Sequence, residues 1–129
     1  MSEDLEEVAI RLKIGCYDRH IFLCVGPNCC SEATGGAAWK KLKDALKARN
    51  LSLSDDPGAC YRTKVQCLRI CQGGPILVVY PEGYWYAGMT VDKIDRFIDE
   101  QIVAGKPIEE WIFASNPLGN DQEDDQLPF

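Results

Sequence analysis

Cys67-Leu68-Arg69-Ile70-Cys71-Gln72-Gly73-Gly74-Pro75-Ile76-Leu77-Val78-Val79-Tyr80 is the stretch on which the fold turns. Two cysteines four residues apart stand on a loop, and Gly-Gly-Pro then feeds an apolar run from Ile76 to Tyr80. A short run of this kind, bounded by turn residues on both sides, reads as a buried strand. A second pair lies upstream in Cys24-Val25-Gly26-Pro27-Asn28-Cys29, directly after the apolar Ile21-Phe22-Leu23. Each pair therefore sits beside a strand-like segment. The rest of the chain reads as a scaffold that brings the two loops together around a metal centre.

Outward from these loops the elements follow in order. Ile21 to Val25 is a strand, and a helix is expected over Gly36 to Arg49. Its Trp39, Leu42 and Leu46 form one stripe, lysines fill the other face, and Asn50 acts as a C-terminal stop. Residues 51–59 are a loop, and Tyr61 to Gln66 alternates like a strand. After the strand Ile76 to Tyr80, Pro81-Glu82-Gly83 turns the chain into a return strand, Tyr84 to Ala87. Thr90 caps a second helix that runs to about Ala104, where Gly105 and Pro107 stop it. Ile108 to Phe113 is an apolar coda that must dock on something. The N-terminal residues 1–17 read as an acidic leader in which Val8 to Ile14 alternates like an edge strand. Residues 114–129 read as an acidic tail, which leaves 18–113 as the folded domain. A strand, a crossover helix, a second strand and then a hairpin predict an α/β fold. Its mixed parallel and antiparallel sheet would have four to five strands with two main helices, a thioredoxin-like layout.

The chain has 129 residues, 46% of them hydrophobic, enough for one domain with a core that needs no disulfide staples. No apolar run approaches the roughly 20 residues needed to span a bilayer. The acidic start lacks the basic and apolar regions of a secretory signal, so a soluble cytoplasmic protein is expected. A net charge of −6 argues against nucleic acid and suits a partner protein with a basic docking surface. Seven cysteines, an odd number, in a reducing compartment point to metal binding or thiol chemistry before a disulfide framework.

Spacing narrows the chemistry. No Cys-x2-Cys knuckle is present, which weighs against the tight zinc site, the thioredoxin dithiol and the small 4Fe-4S ferredoxins. The plant-type 2Fe-2S spacing is missing too. His20 stands alone, which excludes a Rieske centre, and it is expected at a strand edge. What remains is Cys-x4-Cys and Cys-x3-Cys. A two-iron cluster is larger than one zinc ion and lets each pair spread more widely, so spacing favours 2Fe-2S. Zinc and buried structural cysteines stay open.

The block from Cys67 through Gly73-Gly74-Pro75 to the Tyr-Pro-Glu-Gly turn, with Cys24-x4-Cys29 and a helix before it, resembles the thioredoxin-like 2Fe-2S ferredoxins of Shethna type. It is also similar to the 2Fe-2S domain of the small peripheral subunit of complex I. The resemblance covers residues 18–113. It implies one 2Fe-2S cluster per chain, ligated by Cys24, Cys29, Cys67 and Cys71 with one iron per pair, and a homodimer. It also implies a one-electron carrier and not an enzyme, with a potential of roughly −400 to −200 mV. The alternatives are a cluster-bearing subunit of a larger oxidoreductase, a thiol-disulfide or peroxide enzyme, and a structural zinc module. Roughly 18 residues ahead of the first ligand strand are too few for the extra helical region of the complex I relative, which favours the free carrier. Cys30, next to Cys29, could take its place by a one-residue shift, whereas Cys16 and Cys60 match no motif position.

Gly26, Gly73 and Gly74 are suited to bring backbone N–H groups close to cluster sulfurs, and Pro27 and Pro75 to stiffen the loops. By the same resemblance Pro75 is expected to follow a cis peptide. Arg62, Lys64 and Arg69 either offset cluster charge or are simply solvated. Trp85 and Trp111 either mark an interface or pack the hairpin onto the second helix.

Overall fold

Ile21 and Leu23 point from strand β1 (Arg19–Cys24) into the main core, and neither is exposed at all. His20 and Phe22 leave the opposite face, where their rings stack at 4.2 Å. That alternation is the period of two that a sheet imposes, and it orients the whole molecule. The structure is a computed structural model that describes residues 4–52, 59–70 and 72–118.

Five strands form one sheet in the order β2-β1-β3-β4-β5. Strand β2 (Cys60–Val65) runs parallel to β1, with Cys24 opposite Val65. Strand β3 (Leu77–Tyr80) runs antiparallel to β1 on its other side, pairing Leu23 with Leu77. Strand β4 (Tyr84–Tyr86) completes a hairpin with β3, and β5 (Ile112–Ser115) pairs antiparallel with β4. The parallel pair with its helical crossover and the added antiparallel strands match the mixed α/β sheet expected. The apolar coda docks as a strand: Ile112 packs against the core, and Tyr86 pairs with it in register.

Helix α2 (Glu32–Ala48) begins earlier than its apolar stripe suggests. Ser31 is the reason. Its hydroxyl accepts the Thr34 N–H at 3.1 Å, a side-chain cap that starts the helix soon after Cys29. At the other end Asn50 takes φ 57°, and Asn50 N–H and Leu51 N–H donate to Lys47 and Leu46 carbonyls. That is a Schellman ending, sealed by the buried Leu51. Helix α3 (Val91–Phe97) continues as a π-helical turn, Ile98–Val103. Both helices pack their apolar stripes on one side of the sheet, with Leu42, Leu46, Ile94, Phe97 and Ile98 in a single core. Arg49 ties them together across their exposed faces through Asp95 and Asp99.

The N-terminal segment differs from expectation. Leu5–Arg11 is a helix, α1, and not an edge strand. Asp4 and Glu7 form a reciprocal capping box, and Lys13 closes the helix in the left-handed conformation. The pattern Asp-x-x-Glu carried this signal, and it outweighs a weak alternation over a short stretch. His20 is a second correction. It lies on β1, an interior strand, bonded through Nε2 to Thr63 Oγ1 at 2.7 Å. Burial holds its imidazole below the ordinary 6.5. Most of the C-terminal acidic segment lies outside the described residues.

Two ionisable groups in the core make stability sensitive to alkali. Tyr86 donates its hydroxyl hydrogen to Gln101 Oε1 and accepts the Ile108 N–H at 3.2 Å, with both side chains buried. Burial pushes the Tyr86 phenol from 10.0 to about 12. Cys60, at the start of β2, is pushed from 9.0 to about 12 by the same desolvation. A raised acid favours the neutral form in the fold. Its contribution is therefore complete below the ordinary value and is lost as pH climbs from that value to about 12. Melting temperature is expected to hold up to about pH 9 and to fall steeply above it. The fall should begin later in Cys60→Ala. Thermal melts followed by circular dichroism across that range check this; a flat profile would contradict it.

Candidate metal centre

Strand β1 ends on Cys24, and the chain turns at once through Val25, Gly26 and a cis Pro27 to reach Cys29. Gly26 has φ 97°, a left-handed value that a side chain rarely adopts, and a Cβ there would strike the Cys30 carbonyl oxygen. The turn is therefore tight, and it folds Cys29 back onto Cys24. The two side chains converge so closely that they are joined as a disulfide, with Cα atoms 6.9 Å apart. A disulfide and a pair of metal-bound thiolates are alternative states of one convergent pair. Reduction frees two sulfurs already facing a common point.

The second loop lies directly on the first. Gly74 N–H donates to the Cys29 carbonyl at 2.9 Å. A Cβ on Gly74 would come within 2.8 Å of that oxygen and 2.9 Å of Cys29 Cβ, so only glycine allows this approach. The Gly74–Pro75 peptide is cis, as expected. Pro75 carbonyl then accepts the Met89 N–H, and Gly73 carbonyl the Gly88 N–H, which moors the second loop to the segment that enters α3. Cys24 Sγ lies 3.5 Å from the Gln66 carbonyl, at the mouth of the second loop. The two loops are thus brought together at one end of the sheet, beside the start of α2. The N-terminal dipole of that helix favours negative charge there.

An apolar jacket surrounds the first pair. Cys24, Cys29 and Ile76 are buried, and Val65, Leu68, Ile70, Trp85 and Ala87 pack against them. Leu68 and Ile70 turn inward while Cys67 and Arg69, the alternate positions, are exposed. Cys67 Sγ accepts the Arg69 N–H at 3.1 Å. Cys71 lies outside the described residues. Among the described residues no group of three or more Cys, His, Asp or Glu side chains is gathered as a metal cage. The first pair is assembled, and Cys67 stands at the rim.

The other cysteines separate clearly. Cys30 Sγ is 3.8 Å from Cys29 Sγ and half-buried, and desolvation pushes its thiol up. Cys60 belongs to the main core on the far side of the sheet, and Cys16 is exposed. Of the three basic residues considered, Arg62 is taken up elsewhere: its guanidinium lies 5.7 Å from the Trp39 ring centre and donates to Ser52 Oγ at 2.8 Å. Lys64 and Arg69 are exposed. Trp85 belongs to the jacket and meets Phe113 edge-on, and Trp111 packs on the core beneath Lys93 and Arg96. Sequence reading passed over the inward roles of Leu68 and Ile70. Their alternation with Cys67 and Arg69 was the signal.

Cys24 and Cys29, converging in an apolar wall, are suited to half of an iron–sulfur donor set, and Gly74 lets the second loop meet the first backbone to backbone. No protein-family model matches the chain. It is 25% identical over 99 residues to a 2Fe-2S ferredoxin of Aquifex aeolicus, covering 74% of this chain and 89% of that protein. It is 28% identical over 92 residues to a 2Fe-2S ferredoxin of Clostridium pasteurianum, covering 70% and 90%. Its fold is similar to the solved thioredoxin-like [2Fe-2S] ferredoxin from Aquifex aeolicus, with a TM-score of 0.64 over 81% of this chain and 98% of that one, at 23% identity. The fold is thioredoxin-like, and the sequence is similar to curated 2Fe-2S ferredoxins over most of its length.

Proposed function

We propose that the chain is a one-electron carrier holding one 2Fe-2S cluster through Cys24, Cys29, Cys67 and Cys71. The observation that carries this reading is the seating of the Gly73-Gly74-Pro75 loop on Cys29, which puts both cysteine loops at one end of the sheet. When bound, the cluster supplies reversible exchange of a single electron. The protein's part is to hold and insulate. Cys24 and Cys29 offer buried sulfurs on a stiff turn, and the exposed position of Cys67 keeps one edge of the site at the surface, within reach of a partner. Ile76, Leu68, Ile70 and Trp85 exclude water from the inner edge. As a carrier the chain makes and breaks no substrate bonds. The meeting of the Cys29 and Cys24 sulfurs supports Cys29 as the ligand over Cys30, whose Sγ lies 3.8 Å from that of Cys29.

A redox partner protein docks over these loops. The net charge of −6 supports a basic surface on that partner, and the pairing as a homodimer follows from the family resemblance. The odd count of seven cysteines, which precludes a complete disulfide framework, supports a reducing, cytoplasmic location. Among the described residues no helix is long and apolar enough to cross a membrane.

Anaerobically purified protein is expected to be red-brown, to carry about two irons and two acid-labile sulfides per chain, and to bleach with dithionite. Sedimentation equilibrium on the same sample should give twice the 14.4 kDa chain mass. A colourless chain with one zinc would overturn the electron-carrier reading.

A further inference from the structure

Arg69 occupies a backbone conformation that its residue type disfavours. Its φ is 72°, in the left-handed region where an L side chain crowds its own carbonyl. Two neighbours make that conformation stick. Leu68 and Ile70 both anchor in the apolar jacket around Cys24 and Cys29, so the backbone between them has little freedom. Arg69 itself faces solvent. The turn's polar product is the bond from Arg69 N–H to Cys67 Sγ at 3.1 Å. Donor and acceptor are two residues apart, so the bond moves with the turn and does not depend on how the loop tilts.

We propose that the Arg69 backbone N–H raises the reduction potential of the centre by hydrogen bonding to the Cys67 sulfur. The inference rests on Cys67 being a ligand. An added electron increases the negative charge on the ligating sulfurs. An N–H dipole aimed at one of them stabilises the reduced form more than the oxidised form. The group responsible is the peptide N–H and not the guanidinium. Arg69 is accordingly a positioning residue whose side chain is dispensable for this effect.

The test compares variants with and without the N–H. Arg69→Gly keeps the donor and suits the left-handed turn, while Arg69→Pro removes the donor and forbids the turn. Potentials are measured by redox titration of the loaded protein, monitored in the visible. Arg69→Pro is expected to titrate at a lower potential than Arg69→Gly, with both lacking the side-chain charge. Because proline could prevent loading, a second pair decides independently: Arg69→Ala against the same variant with an ester in place of the amide that joins residues 68 and 69. The ester chain is expected at the lower potential. Equal potentials in the ester pair would overturn the proposal. A wild-type chain that takes up no cluster would instead overturn the electron-carrier reading.

Discussion

Cys24→Ala is expected to yield a folded protein without visible absorption, its iron falling from about two per chain to background. The residue closes β1 and is almost wholly buried, so its sulfur is fixed by the sheet itself. Cys60 is sealed in the main core and cannot replace it, and the Cys30 sulfur lies 3.8 Å from that of Cys29, its own neighbour in the first loop. The fold survives because the main core of Ile21, Leu42, Leu46, Phe97 and Ile98 does not depend on the site. Truncating a buried cysteine to alanine leaves a small cavity, worth about 1–2 kcal/mol. Cys30→Ala is the control and should keep its iron. Iron analysis with far-ultraviolet circular dichroism on the two variants checks both halves. Iron retained in Cys24→Ala, or lost from Cys30→Ala, would show that the first ligand pair is misassigned.

The second large effect comes from neighbouring glycines in α2. A Cβ on Gly35 would drive into the Val25 backbone, meeting its carbonyl oxygen and lying 2.5 Å from its carbonyl carbon and 2.6 Å from its Cα. Backbone cannot yield as a side-chain tip can, so α2 must lift off the first ligand loop. Gly36, the next residue, would place its Cβ in open space. Gly35→Ala is expected to destabilise by about 3 kcal/mol or more and to reduce cluster loading. Gly36→Ala is expected to stabilise by about 0.5–1 kcal/mol, because alanine loses less backbone entropy in a helix. Denaturant unfolding of both proteins reads the difference in sign. Matching effects would mean that α2 does not press on Val25 as described.

Assembly of the site and its redox tuning fall to different parts of the chain. The convergence of Cys24 and Cys29 depends on the Gly26 turn and on α2 seating against Val25 through Gly35. The tuning proposed for Arg69 depends on a turn pinned by Leu68 and Ile70. A substitution in α2 therefore acts on loading, and one at Arg69 on potential. Measuring both quantities on each variant separates assembly from redox tuning.

Much of this molecule was written locally. The Ile21-Phe22-Leu23 run and most of the Ile76 to Tyr80 run, from Leu77 on, are strands because an unbroken apolar segment bounded by Gly and Pro has few other ways to hide its side chains. Asn50 ends α2 because it tolerates the left-handed conformation, and Pro81-Glu82-Gly83 makes a hairpin turn for reasons that lie within a few residues. The cysteine spacings limited the chemistry in the same local way. Tertiary structure decided the rest. Whether Val8 to Ile14 joined a sheet depended on an open edge; the capping box at Asp4 and Glu7 competed locally and gave a helix. The docking of Ile112–Ser115 beside β4 required a partner strand distant in sequence. Above all, Cys60 and Cys24 lie on paired strands, yet one is sealed in the main core and the other opens the candidate site. Their residue type is the same. The face of the sheet each side chain takes, and the loops folded over its end, set their different chemistry.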